Sequence, residues 1–430
     1  MKTRTIIMFF LFAGCVQTAA GETTVITLQD SYDAALSSYE GVKISLENVV
    51  QADSRVDQAW SYIYPRLTAY GAYIHNSESL PPGGGSFIFQ PQDQVQATLV
   101  LTQPLYTGGR TLAALRAAKT MQESSKSGLA TTKQDIMLTV ADAYYAVIKA
   151  QKIIEVSKGS LERMERHKKV TEREASTRRS KANTSSLLRA NTLVEQARIN
   201  LILADDGLKI ARQKLALLTR LPENSAFVEP APLSLPPGTV EALQKRALQH
   251  RDDYASSKFN TQVAKEFVTI TEGGHYPQVY AEAGVRRQDS QPNTGLDATT
   301  YYGGVRLQIP IFEGGLMRAE VSEARSKQRQ AELSAVLFKR NIENEVQEAY
   351  INCQTVNAVL ETAKRQFDYA KGNFDAVESL FAEGLVPSLS VIDAQQALFL
   401  VERELTAAAI GQQLAIVRLQ KSMGVLGKKV

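Results

Sequence analysis

The sequence is poor in the residues that usually build metal centres, disulfide frameworks and catalytic sites. Only two of its 430 residues are cysteines and four are histidines, and no histidine lies near a cysteine or another histidine at ligand spacing. It contains no glycine-rich phosphate loop followed by Lys-Ser or Lys-Thr, and no nucleophile elbow. We therefore predict no metal site, no cofactor and no enzymatic activity. Cys353 lies in an apolar helical row and is interpreted as a small buried hydrophobe rather than a reactive thiol.

A strong charge imbalance and a long hydrophobic run are also missing. The formal net charge is only +4 and is spread along the chain, which does not favour nucleic acid as a partner. After the first residues no run of about 18 apolar residues occurs, so no transmembrane helix is expected in the mature chain. The chain is too long for one ordinary compact core, which favours two structural units.

Residues 1–20 have the pattern of a secretory signal peptide. Lys2 and Arg4 give a basic start, an apolar centre follows, and Thr18–Ala20 offers small residues for cleavage. A second processing route is also open, because Phe12–Cys15 resembles a lipoprotein cleavage box that would leave its cysteine, Cys15, acylated. Both routes predict an exported protein.

What the sequence does contain is one pattern that occurs twice. Leu101–Arg110 and Leu307–Leu316 each run from alternating apolar and polar residues through a proline and an aromatic residue to Gly-Gly, and a long helical pattern follows. Such self-similarity predicts one structural unit used twice. In each copy a strand is expected to end at the proline, the chain to turn at the two glycines and a helix to begin. The predicted strand-to-helix junctions are formed by Pro104, Gly108, Gly109, Pro310, Gly314 and Gly315.

The repeats are predicted at 21–225 and 226–430, each with a helix, a β-hairpin and a long helical hairpin. The first helix is expected at about Leu28 to Ser61. The β-hairpins, at 66–106 and 278–311, alternate apolar and polar residues over strands of about 10 residues, which is typical of transmembrane β-barrel strands. A half-buried sheet in a soluble domain gives the same alternation, so the pattern alone leaves both interpretations open. Four strands cannot close a barrel, so the membrane interpretation requires several copies of the chain.

The predicted helices are unusually long. No proline interrupts the pattern from Thr111 to about Glu174 or from Leu316 to Glu383, and helices of this length would span about 100 Å. The returning helices carry a heptad seam rich in alanine, which predicts left-handed supercoiling against neighbouring helices. Hairpin tips are expected near Arg179–Ser185 and Ala382–Ser388.

This doubled layout resembles the TolC-like outer membrane efflux channels. The resemblance rests on the paired proline, aromatic and Gly-Gly junctions and on Gly384–Gln395, which reads Gly-Leu-Val-Pro-Ser-Leu-Ser-Val-Ile-Asp-Ala-Gln. It implies an α+β membrane protein, a homotrimer in which each protomer gives four strands to one shared transmembrane β-barrel. The long antiparallel helical hairpins would form a periplasmic α-barrel below the outer membrane of a Gram-negative bacterium. Implied partners are outer membrane lipid, a periplasmic adaptor and an inner membrane pump of RND, ABC or MFS type.

The resemblance also implies a periplasmic gate. In the family, acidic residues just after the second tip line the entrance, and the matching positions here are Ser390 and Asp393, of which only Asp393 is acidic. The equivalent positions in the first tip, Ser185 and Ser186, are uncharged, so a weaker entrance field is expected. Asp393 has an alternative interpretation as a charge favoured near a helix N-terminus.

The hairpin tips are the predicted adaptor-docking surface. The apolar tip residues are expected to be exposed to solvent, which calls for a partner. The predicted docking residues are Ser180, Phe381, Gly384, Leu385, Val386 and Ser388. A basic run precedes the first tip and is interpreted as a solvated face, with a contact to the adaptor or pump as the alternative. It comprises Arg166, Lys168, Lys169, Arg173, Arg178, Arg179 and Lys181.

These predictions indicate a passive trimeric export duct. The alternative from another class is a structural periplasmic coiled-coil protein with a small β-region. It explains the heptads but not the two β-hairpins whose strands are long enough to span a membrane. Within transport, small-molecule efflux and type I protein secretion both stay open, because the pump selects the cargo. Metal efflux receives no support, because His and Met clusters are missing.

Overall fold

A computed structural model describes residues 25–77, 91–177, 181–223, 225–291 and 297–428. The predicted signal peptide at 1–20, with the alternative acylation site Cys15, lies outside the described residues. So do the predicted tip residue Ser180 and the last two arginines of the predicted basic run before it.

The same order of elements occurs twice along the described chain. A short strand and two helices lead to two long strands, a very long helix and a shorter returning helix. The first set comprises β1 (Val25–Ile26), α1 (Leu28–Ser38), α2 (Glu40–Ser61), β2 (Arg66–His75), β3 (Asp93–Thr107), α3 (Arg110–Thr177) and α4 (Lys181–Thr219). The second comprises β4 (Ala226–Phe227), α5 (Val240–His250), α6 (Asp252–Glu272), β5 (Gln278–Gln291), β6 (Ala298–Gln308), α7 (Leu316–Ala382) and α8 (Ser388–Ser422).

The single first helix predicted from Leu28 to Ser61 is wrong, because the chain forms two helices there. Thr27 begins α1 with a capping box, in which its backbone N–H donates to Asp30 at 2.9 Å and its hydroxyl accepts from the Asp30 N–H at 3.2 Å. The helix ends at Tyr39, whose backbone is extended (φ −70°, ψ 129°). A Cβ at position 41 would lie 2.8 Å from the Tyr39 ring, so Gly41 leaves space for this break.

The four long strands form one antiparallel sheet in the order β2-β3-β5-β6. The sequence predicted that the strand before each junction ends at its proline. In the second half it does, because β6 ends at Gln308, before Pro310. In the first half the prediction is wrong, because β3 continues past Pro104 to Thr107 through a bulge, where a proline can be tolerated.

The register separates the sheet into an apolar face and a polar face. Residues paired across neighbouring strands share a face, so the predicted alternation of each strand becomes continuous across all four. Two apolar rows are Leu67, Leu101, Ala283 and Gly303, followed by Ala69, Leu99, Val285 and Tyr301. Most of their large side chains are exposed in the single chain, which indicates a surface that needs a nonaqueous or protein environment.

The long helices predicted from the sequence are confirmed. Helix α3 has 68 residues and α7 has 67, so each spans about 100 Å. Helix α4 returns along α3 and α8 returns along α7, while α3 also packs against α6 and α8. The junction glycines allow the helices to begin, since Gly108, Gly109, Gly314 and Gly315 all have φ between +63° and +88°.

The main core lies around the middle of the helical part. Tyr144 is fully buried there, and its hydroxyl donates to the carbonyls of Ile26 at 2.9 Å and Val228 at 2.6 Å, beside the short strands β1 and β4. A second cluster includes Cys353, which is buried, so the prediction of a small buried hydrophobe is confirmed. Burial raises the pKa of the Cys353 thiol to about 11, which keeps it in the unreactive protonated form.

Candidate functional site

The tip between α7 and α8 is a turn determined by its sequence. Gly384 has φ +75°, a conformation that favours glycine, and its N–H donates to the Phe381 carbonyl at 2.9 Å. The N–H of Leu385 donates to the Leu380 carbonyl at 2.9 Å, which completes a Schellman motif. Pro387 then precedes the first residue of α8 in an extended conformation. The predicted second tip is therefore placed correctly.

The exposure predicted for Phe381 is wrong. Its side chain is only 6% exposed, and its ring centroid lies 5.0 Å from that of His167 on α3. Ser388 is also buried, whereas Leu385 is 67% exposed. Val386 is half-buried against an apolar cluster that includes Phe374, Phe381 and Val391. The difference arises because the α7–α8 hairpin packs against α3 on the face that carries Phe381. Among the predicted apolar docking residues, Leu385 presents the most side-chain surface.

A row of polar contacts joins α3 to α8 behind this tip. We call it the α3–α8 polar seam, and its residues are Ser160, Arg163, His167, Ser388, Gln395 and Glu402. At the tip end, His167 Nε2 lies 2.8 Å from Ser388 Oγ, and both residues are buried. Two turns further from the tip, Gln395 Nε2 donates to Ser160 Oγ at 3.1 Å. Interhelical hydrogen bonds of this kind fix the register of two helices.

Arg163 is the centre of the seam. Its Nε donates to Gln395 Oε1 at 2.8 Å, and its Nη2 donates to Glu402 Oε2 at 2.7 Å. The guanidinium carbon also lies 5.9 Å from the centroid of the Phe374 ring. The side chains of Arg163 and Glu402 are only 15% and 16% exposed, so each charge depends on the other for compensation.

Sequence reasoning missed the seam, although its spacing was visible. Ser388, Gln395 and Glu402 are each one heptad apart on α8, and they place polar groups along one helix face. Polar heptad positions within an apolar pattern are a signal of helix pairing that could have identified them.

None of the predicted gate residues belongs to the seam. Asp393 is exposed on α8, while Ser390 is half-buried and its backbone N–H donates to the Pro387 carbonyl at 3.0 Å. On α4, Ser185 is exposed and Ser186 is half-buried. Asp393 lies beyond the first turn of α8, where the helix dipole has little effect on a charge. Its position therefore does not support the alternative interpretation as a charge favoured by the helix N-terminus.

Replacing Asp393 with alanine is expected to raise ion conductance in a planar bilayer. Removing an exposed carboxylate at the tip removes charge that we expect to help hold the entrance closed. Glu404→Ala is the matched control, because Glu404 is also exposed on α8 and lies about 16 Å further from the tip along the axis. Conductance and gating equal to those of the unsubstituted protein would remove Asp393 from the gate.

The tip contact at His167 is expected to weaken at acidic pH. Burial lowers the pKa of His167 below its usual range, so the imidazole is neutral at pH 7. Opening the tip to water would return that pKa toward about 6.5. The open form then binds the proton more tightly, so the stability of the closed tip is complete above this value and is lost as pH falls below it.

The measurement is conductance against pH for the unsubstituted protein and for His167→Gln, which does not titrate. We expect open time to increase between about pH 6.5 and 5 in the former and to stay flat in the latter. His275→Gln, at an exposed position beside the start of β5, is the control and should keep the pH response. A pH response that survives in His167→Gln would assign it to another group.

Neither a metal-binding cluster nor a membrane-spanning helix occurs among the described residues. No group of three or more His, Cys, Asp or Glu side chains in these ranges is arranged to hold a metal ion. None of the helices in the described part of the chain combines the length and apolarity needed to cross a membrane.

The fold and the tip define a class of protein: an elongated helical-hairpin protein that carries a two-faced antiparallel sheet at the opposite end of its long helices. Comparison with known families agrees, since residues 28–219 and 243–425 match the model of the family described as "Outer membrane efflux protein". The chain belongs to this outer membrane efflux protein family, as its sequence pattern predicted.

Individual relatives are distant but extend along most of the chain. The chain is 22% identical to the outer membrane protein TolC of Vibrio cholerae over 393 residues, which cover 87% of this chain and 85% of that protein. It is 25% identical to the alkaline protease secretion protein AprF of Pseudomonas aeruginosa over 348 residues, which cover 78% of this chain and 70% of that protein. Among solved structures, CusC aligns with a TM-score of 0.81 at 17% identity over 92% of both chains. VceC from Vibrio cholerae aligns with a TM-score of 0.79 at 17% identity, and the alignment covers 92% of this chain and 96% of the VceC chain.

Proposed function

We propose that this protein is the outer membrane channel, or export duct, of a tripartite efflux or type I secretion system. Cargo would pass unchanged from an inner membrane pump and a periplasmic adaptor to the exterior. The observation that carries the proposal is the two-faced sheet, whose exposed apolar rows suit lipid while its polar face suits a watery lumen. Membership of the outer membrane efflux protein family supports the same conclusion.

The proposed duct is a homotrimer, and the single chain has the edges that such a ring requires. Strands β2 and β6 are sheet edges, each with one side unpaired in the chain. The two halves of the chain meet where β3 pairs with β5 and α3 packs on α6. Repeating this arrangement between copies would pair β6 with β2 of the next copy and pack α7 on its α2. Three copies would then supply twelve strands to one closed barrel.

Exposed apolar side chains along both edges support this assembly. Helices α2, α4 and α7 expose large apolar side chains on the surfaces where a neighbouring copy would pack. Such extensive apolar exposure is unusual for a protein that stays a monomer. They include Leu333, Leu337 and Tyr369 on α7, Ile44 on α2, and Ile202, Leu203 and Leu217 on α4. In the proposed trimer the long helices form the periplasmic α-barrel, and the repeats at 21–225 and 226–430 each contribute one strand pair and one helical hairpin.

The tips are the proposed sites of gating and docking. Asp393, Ser390, Ser185 and Ser186 would line the entrance, and the seam would hold α8 against α3. The exposed Leu385, with Gly384 and the half-buried Val386, would contact the adaptor. The pump, of RND, ABC or MFS type, would select the cargo, so the channel itself fits both small-molecule efflux and protein secretion.

Single-channel recording of detergent-purified protein in a lipid bilayer tests the proposal. We expect a small and mostly closed conductance from a species whose mass, measured in the same detergent, is that of a trimer. Protein that stays soluble without detergent and gives no conductance would overturn the channel. That result would favour the alternative of a structural periplasmic coiled-coil protein.

A further inference from the structure

The polar face of the sheet carries charge of predominantly one sign. The register places Arg66, Glu282, Arg286 and Arg306 on this face, because each pairs with, or lies an even number of residues from, a polar-face position. The face therefore has three arginines and one glutamate. Its other members are neutral, mainly glutamine, threonine and tyrosine.

One of the three arginines is already compensated. Arg306 forms an ion pair with Glu282 at 2.6 Å, and its guanidinium carbon lies 5.3 Å from the centroid of the Tyr280 ring. Arg66 and Arg286 are both exposed, and neither forms an ion pair with any described residue. The face thus retains two uncompensated positive charges in each chain.

One further carboxylate borders this face, because Asp297, just before β6, accepts hydrogen bonds from the backbone N–H and the hydroxyl of the polar-face residue Ser290. It forms no ion pair with Arg66 or Arg286, and these two arginines outnumber it.

Asp93 and Asp289 lie on the apolar face, near the end of the sheet that is far from the helices. There Asp93 contacts His75 at 2.7 Å, and Asp289 pairs with Arg287. The edge strands β2 and β6 contain no acidic residue, so pairing β6 with β2 of another copy adds no carboxylate to the polar face in any register.

We propose that Arg66 and Arg286 make the strand-lined part of the channel selective for anions, so that cargo carrying carboxylate, sulfonate or phosphate groups is favoured. This inference rests on the proposed trimeric duct, in which three copies bring six uncompensated guanidinium groups around one lumen. Rings of arginine or lysine are the usual means of selecting anions in pores. A lumen with low-dielectric walls also focuses the field of such charges.

The experiment uses the full-length trimer in a planar bilayer with a KCl gradient. On the dilute side, at about 0.1 M, screening acts over about 10 Å and leaves the arginine field effective. We expect a reversal potential that indicates preference for chloride over potassium. In the double variant R66Q/R286Q the permeability ratio should shift toward potassium by at least about twofold.

The matched control is R287Q, which removes a positive charge from β5 on the opposite face. Because Arg287 is paired with Asp289 outside the lumen, we expect its reversal potential to stay unchanged. As a second probe, tripolyphosphate added on the strand side should block current in the unsubstituted protein and in R287Q. The block should weaken in R66Q/R286Q, while hexaamminecobalt(III) on the same side should not block.

The outcomes separate this inference from the proposed function. A gated trimeric conductance with equal selectivity and equal tripolyphosphate block in R66Q/R286Q would overturn the role of these arginines and leave the duct intact. A preference for potassium in the unsubstituted protein, with block by hexaamminecobalt(III), would also overturn it. A trimer without conductance would overturn both.

Discussion

Replacing Arg163 with methionine is expected to open the periplasmic tip and give a larger, longer-lasting conductance. The substitution removes both hydrogen bonds from α3 to Gln395 and Glu402 on α8. It also leaves the largely buried Glu402 carboxylate without its counter-charge, which typically costs about 3–5 kcal/mol. Movement of α8 away from α3 would return this carboxylate to water, so the cost acts against the closed form.

Two further variants show whether the seam causes this effect. In R163M/E402M the unpaired charge is gone, so we expect conductance to return part of the way toward that of the unsubstituted channel. R198M removes an arginine whose ion pairs with Glu165 and Glu195 are about half exposed, where such pairs contribute at most about 1 kcal/mol. An R163M channel that stays as closed as R198M would show that other contacts hold the tip.

The features predicted well from sequence are those set by local pattern. Period-two alternation specified which residues share a face of the sheet, and the positive φ at Gly108 and Gly314 explains why Gly-Gly precedes each long helix. The length of α3 followed from the lack of proline. In each case the structural feature is determined by residues that are close together in the sequence.

The features that were missed depend on distant partners. Helix α6 begins after a break at Arg251, whose buried guanidinium donates to Glu345 at 2.6 Å and to the Ser422 carbonyl at 3.1 Å. These two partners lie on α7 and α8, far away in sequence, although Arg251 also pairs with the nearby Asp253. The contacts to α7 and α8 are therefore not visible in the local pattern. The sequence likewise predicts Phe381 as an exposed tip residue, because it does not show that α3 covers this side chain. Periodicity indicates which face is apolar but not which element covers it.

Replacing Gly108 with alanine is expected to prevent recovery of most of the folded protein. An added Cβ would lie 2.2 Å from the Gly273 carbonyl oxygen and 2.9 Å from the Tyr276 Cβ, so backbone atoms would have to move. Overpacking of this kind costs about 1–3 kcal/mol, in addition to about 1–2 kcal/mol for a side chain at φ +65°. The measurement is the yield and thermal stability of folded protein in detergent.

Gly109→Ala is the control for backbone strain, because Gly109 has φ +80° but no atom within 4 Å of its added Cβ. We expect Gly109→Ala to lose only the stability that corresponds to the backbone strain. Equal losses of stability in the two variants would show that the contact with Gly273 is not the cause.

Gly314→Ala then tests the assembly, since Gly314 is the repeat position of Gly108 and has φ +63° with open space around it in the single chain. If the next copy packs there as the first repeat packs on the second, this substitution will leave the protomer nearly as stable as Gly109→Ala and will reduce the yield of trimer. Full trimer recovery would contradict the proposed packing between copies, although the barrel could still close through β6 and β2.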